Sequence, residues 1–81
     1  MARLDLATIK KIDKERNTVH AAVTTTYTVF DSDDGDHYVQ IDTYGRSNRV
    51  IPEKISQSFQ LDRKSAEFLV ELLRKEFSLG W

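Results

Sequence analysis

The spacing of apolar residues changes at Asp62, from every second residue before it to the spacing of an α-helix after it. The segment that follows contains no glycine or proline before Gly80 and is rich in helix-forming residues. This pattern predicts an amphipathic helix over residues 63–77. An aspartate N-cap accepts a hydrogen bond from an unpaired backbone N–H, so Asp62 is its predicted start. The predicted apolar stripe consists of Ala66, Leu69, Val70, Leu73 and Phe77.

Before Asp62, stretches rich in valine, threonine and aromatic residues alternate in the way that strands do. Ser32–Asp36 is the predicted hairpin turn, because Gly35 tolerates backbone angles that other residues avoid. A run of strands followed by one helix predicts an α+β fold and a single domain, 1–81. In it a four-stranded antiparallel meander sheet carries the C-terminal amphipathic helix on one face. The predicted strands lie at about residues 4–12, 20–30, 37–44 and 54–61.

The size and the cysteine content of the chain exclude several classes of protein. At 81 residues and 9.4 kDa, the chain can bury one small core but cannot enclose a cleft between two lobes. The absence of cysteine excludes disulfide scaffolds, thiolate zinc sites and thiol nucleophiles. The two histidines lack the spacing of metal ligands, and no phosphate-binding glycine loop is present. We therefore expect no enzyme activity, no catalytic residues, no metal and no cofactor.

The N-terminal residues lack the apolar stretch of a signal peptide, and no segment approaches the roughly 20 apolar residues of a membrane span. A chain without cysteine also fits a reducing compartment. We expect a cytoplasmic protein that does not bind membranes.

The formal net charge of −1 conceals an uneven distribution of charge. Residues 21–43 contain no lysine or arginine, whereas basic residues outnumber acidic ones in residues 44–64. A nearly neutral total therefore does not exclude a local site for a polyanion such as nucleic acid. The acidic side chains of the first stretch are Asp31, Asp33, Asp34, Asp36 and Asp42.

Alternation along the strands assigns their residues to two faces. One layer of helix covers only the apolar face, so the polar face stays free to bind. The apolar face, expected beneath the helix, consists of Val23, Tyr27, Val29, Val39, Ile41, Ile55, Phe59 and Leu61. The polar face consists of Thr24, Thr26, Thr28, Phe30, Tyr38, Gln40, Asp42, Tyr44, Ser56, Ser58 and Gln60.

The residue types of the polar face suit single-stranded nucleic acid. Aromatic rings stack on bases for about 1–3 kcal/mol each, while hydroxyl, amide and basic groups bind phosphates or base edges. The segment Tyr44–Arg49 adds a glycine bend and two arginines. Solvated strands and loops carry the same residue types, and Asp42 would repel phosphate, so both interpretations remain open. The predicted nucleic-acid-binding residues are Tyr44, Arg46, Arg49, Lys54, Ser56, Ser58 and Gln60.

Lys54, Ile55 and Ser56, followed by a strand that runs through Phe59–Asp62 into the helix, resemble a known family. They are similar to the final strand of the positive-cofactor-four transcriptional coactivators, which bind single-stranded DNA. The similarity covers about residues 20–77. The chain departs from the family's Lys-Gly-Ile-Ser-Leu pattern by lacking its glycine, and it carries aspartates where members tend to have lysine-rich strands.

The resemblance implies a homodimer whose curved sheets hold unpaired DNA. It implies Arg46, Arg49 and Lys54 as phosphate contacts and Tyr44 as a stacking residue.

Phe68 and Leu72 widen the apolar stripe of the helix beyond what one sheet face needs, so we predict that they form a homodimer interface. The leading hypothesis is a small single-stranded nucleic-acid-binding domain, for DNA or RNA, that acts as a transcription or DNA-metabolism cofactor. The alternative is a protein-interaction module, a small regulator or inhibitor that docks on a protein partner through its acidic hairpin and helix face.

Overall fold

Three of the four strands and the helix form where the alternation and the helical spacing of the sequence predict them. The computed structural model describes residues 1–45 and 54–80. The predicted combination of four strands and one C-terminal helix, an α+β arrangement, is confirmed. The elements are β1 (Ala2–Arg3), a 3₁₀ helix (Leu6–Thr8), β2 (Thr25–Asp31), β3 (His37–Tyr44), β4 (Ile55–Leu61) and α1 (Arg63–Glu76).

The strands form one sheet in the order β1-β4-β3-β2. The pairs β2–β3 and β3–β4 are antiparallel, but β1 runs parallel to β4, with Ala2 opposite Phe59 and Arg3 opposite Gln60. The predicted purely antiparallel meander is therefore wrong, and the sheet is mixed. The segment between β1 and β2 is long, so β1 can lie at the edge of the sheet opposite β2. There it pairs with β4 and not with β2, the next strand in the sequence.

The strand predicted over residues 4–12 does not form. Asp5 instead caps the 3₁₀ helix, and its carboxylate accepts a hydrogen bond from the backbone N–H of Ala7 at 3.1 Å. Residues 10–24 then lie outside helices and strands, and every one of them is exposed.

The strand predicted over residues 20–30 begins later, at Thr25, and extends to Asp31. The backbone N–H of Tyr44 donates to the Thr24 carbonyl at 2.9 Å. Because β3 ends at Tyr44, the described residues offer no paired strand on which the ladder could continue before Thr24.

The hairpin between β2 and β3 closes through its own backbone. Ser32 N–H donates to the Asp36 carbonyl at 2.8 Å, and Gly35 N–H donates to the Ser32 carbonyl at 2.9 Å. Gly35 has φ of 89°, a left-handed conformation that side chains disfavour, as the sequence predicts for this position.

The start of α1 is fixed by a capping box. The Asp62 carboxylate accepts from the backbone N–H of Ser65 at 2.8 Å, and Ser65 Oγ accepts from the backbone N–H of Asp62 at 3.0 Å. Ser65 is fully buried at this junction. Arg74 and Lys75 lie in the last turn, where their charges suit the negative end of the helix dipole. No helix in the described residues is long and apolar enough to cross a membrane.

The helix leaves much of the apolar face uncovered. α1 contacts β4 and the 3₁₀ helix, whereas Tyr27 and Val29 on β2 are 73% and 51% exposed. Among the described residues, Leu61 is the single apolar residue that is buried. The expectation that the helix packs over the sheet is thus met only along β4.

The capping box makes stability depend on the ionisation of Asp62. Hydrogen bonds from the backbone and side chain of Ser65 hold the pKa of this carboxyl below its ordinary value. A lowered native pKa stabilises the fold above the unfolded-state pKa, and this stabilisation is lost as the pH falls through the native pKa. Asp62→Asn keeps a capping group without the titration. We expect a smaller acid-induced fall in Tm for Asp62→Asn than for the wild type between neutral pH and about pH 3.

Asp62→Ala removes the cap itself, so its Tm should be below that of Asp62→Asn at neutral pH. Thermal unfolding followed by circular dichroism measures both comparisons. Equal acid sensitivity of the wild type and Asp62→Asn would contradict the assignment.

Candidate nucleic-acid interface

The register of the three antiparallel strands places the even-numbered side chains side by side. Thr28 lies opposite Gln40, which lies opposite Gln60. Thr26, Asp42 and Ser58 form the next row. Directly opposed residues share a face, so these rows build the polar face from three strands.

An aromatic and cationic cluster occupies one end of the polar face. The rings of Phe30 and Tyr38 stack with their centroids 5.5 Å apart and an interplanar angle of 23°. Arg3 reaches across β4 from β1, with its Cζ 6.0 Å from the Tyr38 ring centroid and its Nη1 donating to Tyr38 Oη at 3.3 Å. Phe30 and Arg3 are exposed, so a ring and a guanidinium are available to a ligand.

A row of hydrogen bonds crosses the middle of the polar face. Gln60 Nε2 donates to Gln40 Oε1 at 2.8 Å, and Gln40 Nε2 donates to Asp42 Oδ1 at 3.0 Å. Ser58 Oγ donates to the same carboxylate oxygen. Asp42 is only 5% exposed, so its charge lies beneath the surface.

A bulge changes the far end of the polar face. Thr43 pairs with Gln57, but Tyr44 pairs with Ile55, which leaves Ser56 as the extra residue of β4. A one-residue slip turns later side chains to the other face, so Ile55 joins Tyr44 on the polar face. The prediction that Ile55 belongs to the apolar face is therefore wrong. Tyr44 Oη also lies 3.0 Å from Thr26 Oγ1, within hydrogen-bonding distance.

The structure brings together only some of the predicted binding residues. Ser58 and Gln60 lie within the hydrogen-bonded row, and Tyr44 is half-buried at the bulge. Lys54 and Ser56 are exposed at the start of β4. Arg46 and Arg49 lie outside the described residues.

Arg3 is the residue that sequence reasoning missed. Alternation placed Phe30 and Tyr38 on one face, and the hairpin turn indicated that they are close. Nothing in the two-residue strand β1 indicated that it pairs with β4, and this parallel pairing is what carries Arg3 to the cluster.

Acidic groups gather beyond the cluster, at the hairpin tip. Asp33 and Asp34 are exposed in the turn. Asp31 Oδ1 and His37 Nδ1 lie 2.5 Å apart at its base. Lys54 lies at the opposite end of the sheet, a separation of about 24 Å along β3 at 3.4 Å per residue. Lys54 and the acidic hairpin tip therefore lie at opposite ends of the strands, whereas Arg63 and Lys64 line the same groove, between α1 and the sheet, as Asp36.

Comparisons with protein-family models, with curated proteins and with solved structures found no match to this chain. What it binds must therefore be inferred from its own side chains. The observations that bear on binding are the aromatic cluster, the buried carboxylate and the uncovered apolar face.

The buried Asp42 carboxylate stabilises the polar face by accepting hydrogen bonds from Gln40 and Ser58. Asp42→Ala leaves the Ser58 hydroxyl and the Gln40 amide without their acceptor, so we expect the free energy of unfolding to fall by about 1–3 kcal/mol. Urea denaturation measures this change. Asp34→Ala, at an exposed position, is the matched control and should change stability by no more than about 0.5 kcal/mol. An equally small effect of both substitutions would show that Asp42 has no supporting role.

Proposed function

We propose that this chain binds single-stranded nucleic acid along its polar face. The observation that carries the proposal is the stacked pair Phe30 and Tyr38 with Arg3 above it. An exposed ring offers a platform for a base, and an adjacent guanidinium can neutralise a phosphate or stack on a second base. Sequence-tolerant binding of unpaired strands uses this combination.

The proposed path follows β3. It runs from Tyr38 beside the cluster to Tyr44 near the start of β4, about 20 Å at 3.4 Å per residue. Lys54 adds a cation at the second end. Arg46 and Arg49, and the contacts that the coactivator resemblance implies for them, belong to this proposal as predictions.

The hydrogen-bonded row keeps the Asp42 carboxylate from projecting into the path of a ligand, but its donors are neutral and do not cancel a negative charge. A carboxylate that projected from the middle of the face would repel a phosphate chain. Asp42 is instead buried and accepts hydrogen bonds from Ser58 and Gln40. Gln60 extends the row by donating to Gln40 Oε1.

Fluorescence anisotropy with a labelled oligothymidylate at about 50 mM salt tests the proposal. Arg3→Ala should weaken binding and reduce the slope of log affinity against log salt by about 0.7, the value for one lost phosphate contact on a single strand. Phe30→Ala should weaken binding about 5- to 150-fold, the cost of one lost stacking contact.

Matched controls lie on the helix. Arg74→Ala removes an exposed arginine paired with Glu71, and Phe77→Ala removes an exposed aromatic ring. Both variants should bind the oligonucleotide as the wild type does. No binding by the wild type, or equal losses in the cluster and control variants, would contradict the proposed interface.

The acidic hairpin favours a second function, docking on a basic protein partner. The tip is exposed and carries Asp33, Asp34 and Asp36 close to the Asp31–His37 pair. Under this alternative, changing the three tip aspartates to lysine should abolish capture of the partner while oligonucleotide binding persists. A pull-down with the wild type and the charge-reversed chain measures the first effect, and anisotropy measures the second. Unchanged capture by the charge-reversed chain would rule out docking through the hairpin.

A further inference from the structure

Strand β2 forms one outer edge of the sheet. β3 lies on one side of it, and among the described residues no strand lies on the other side. Every residue of the strand, Thr25–Asp31, is exposed. Its ladder with β3 runs the whole length of the strand without a shift in register. The outer edge of β2 is therefore regular and open.

The hydrogen bonds at both ends of the ladder show which backbone groups of β2 point outward. Tyr44 N–H donates to the Thr24 carbonyl, and Ser32 N–H donates to the Asp36 carbonyl. Hydrogen-bonded pairs alternate with non-bonded pairs in an antiparallel ladder, so the even-numbered residues of β2 bond to β3. The N–H and carbonyl groups of the odd-numbered residues point away from β3. These residues are Thr25, Tyr27, Val29 and Asp31.

The odd-numbered residues also carry the exposed apolar side chains of β2. Tyr27 and Val29 lie side by side on the apolar face, and both are exposed. A strand added to β2 would pair with these residues directly, because the outward backbone groups are theirs. Its own side chains on that face would then cover Tyr27 and Val29. Both features therefore fit an extended segment with an apolar residue at every second position.

β2 lacks the features with which proteins protect the edge of a sheet. Lysine, proline and bulges hinder the pairing of a foreign strand. β2 contains none of these, and its single charged residue, Asp31, is its last. At the other side of the sheet β1 covers part of β4, and the rest of β4 has the bulge at Ser56 with Lys54 close by. The edge that admits a further strand is therefore that of β2.

Charge at the hairpin favours a basic partner. Asp31 ends β2, and Asp33, Asp34 and Asp36 follow it in the turn. Residues 17–45 contain no lysine or arginine, so a second copy of β2 would place no cation on the paired strand itself. A nucleic acid strand would be repelled at this end. A basic residue at the end of a foreign protein strand would be attracted to it.

We propose that the edge of β2 binds an extended segment of a basic protein partner, which adds a strand antiparallel to β2. The antiparallel direction is the more stable one per residue. Apolar residues of the segment cover Tyr27 and Val29, and basic residues at its N-terminal end lie beside Asp31. The inference rests on the docking alternative above and names its surface. It does not depend on nucleic-acid binding, because the Phe30–Tyr38 stack lies on the opposite face.

A labelled peptide, Lys-Lys-Val-Thr-Val-Thr-Val, is the probe, and fluorescence anisotropy with the full chain measures its binding. Its valines would lie opposite odd-numbered residues of β2, with the lysines beside the hairpin. N-methylation of the valines removes the N–H groups that face β2, so binding should weaken at least about tenfold. N-methylation of the threonines is the matched control. Their N–H groups point away from β2, so affinity should stay within about threefold of the unmodified peptide.

Amide hydrogen exchange followed by NMR tests the same edge without any modification of the chain. In the free chain the amides of Tyr27 and Val29 should exchange faster than those of Thr26 and Thr28, which bond to β3. Saturating peptide should slow exchange at Tyr27 and Val29 at least about tenfold. Slow exchange at both residues without peptide, in a chain with twice the monomer mass, would show that a second copy occupies the edge and would overturn the proposal.

Replacing the lysines of the peptide by glutamate should weaken binding at least about tenfold, because the hairpin then repels the segment. If this replacement weakens binding but N-methylation of the valines does not, pairing at the edge is wrong while docking through the hairpin stands. No binding of the unmodified peptide up to about 1 mM would also overturn the proposal. Oligothymidylate binding is measured separately, so either result can fail without the other.

Discussion

The antiparallel ladder of β2, β3 and β4 is the interaction on which the rest of this structure depends. Small domains normally hold a sheet in place by burying one of its faces, yet Leu61 is the single buried apolar residue among those described. Backbone pairing in register, from Thr28 through Gln40 to Gln60, is what fixes the positions of side chains on both faces. Any surface used for recognition inherits its geometry from this ladder.

The two faces of the ladder differ in how far contacts within the chain satisfy their side chains. The polar face satisfies its own groups, since Ser58 and Gln40 bond the buried Asp42 and Gln60 bonds Gln40. In the part of the chain that the structure describes, α1 contacts the apolar face only along β4, and hydrophobic burial of the rest requires a second surface. The polar face is therefore held by hydrogen bonds within the sheet, whereas Tyr27 and Val29 of the apolar face stay exposed.

Residues with strong local preferences were predictable from the sequence. Asp62 marks the helix start through its cap, and Gly35 marks the turn through its backbone freedom. Alternation separates the faces along β3, because each step of two residues returns to the same side. These signals are local. They indicate where helices, strands and turns lie and which side chains share a face, but they do not indicate what packs on each face.

Features that depend on distant partners were not predictable. β1 has two residues and no pattern of its own, so its pairing with β4, and with it the position of Arg3, left no signal. The bulge at Ser56 moves the Ile55 side chain to the other face of the sheet. This change depends on how β4 pairs with β3, which the sequence of β4 alone does not indicate. Helical spacing identified Val70 and Phe77 as apolar, but amphipathicity does not specify whether a sheet or another molecule covers them.

Residues 10–24, which lie outside helices and strands, bear on whether β1 must pair within its own chain. β1 and β2 lie at opposite edges of the sheet, about 14 Å apart across three strand spacings. A segment of this length reaches about 50 Å when extended. Covalent connection therefore does not force β1 onto the β4 of its own chain. Because the connecting segment is longer than this distance requires, it also permits strand exchange, in which β1 and its Arg3 complete the sheet of a neighbouring molecule.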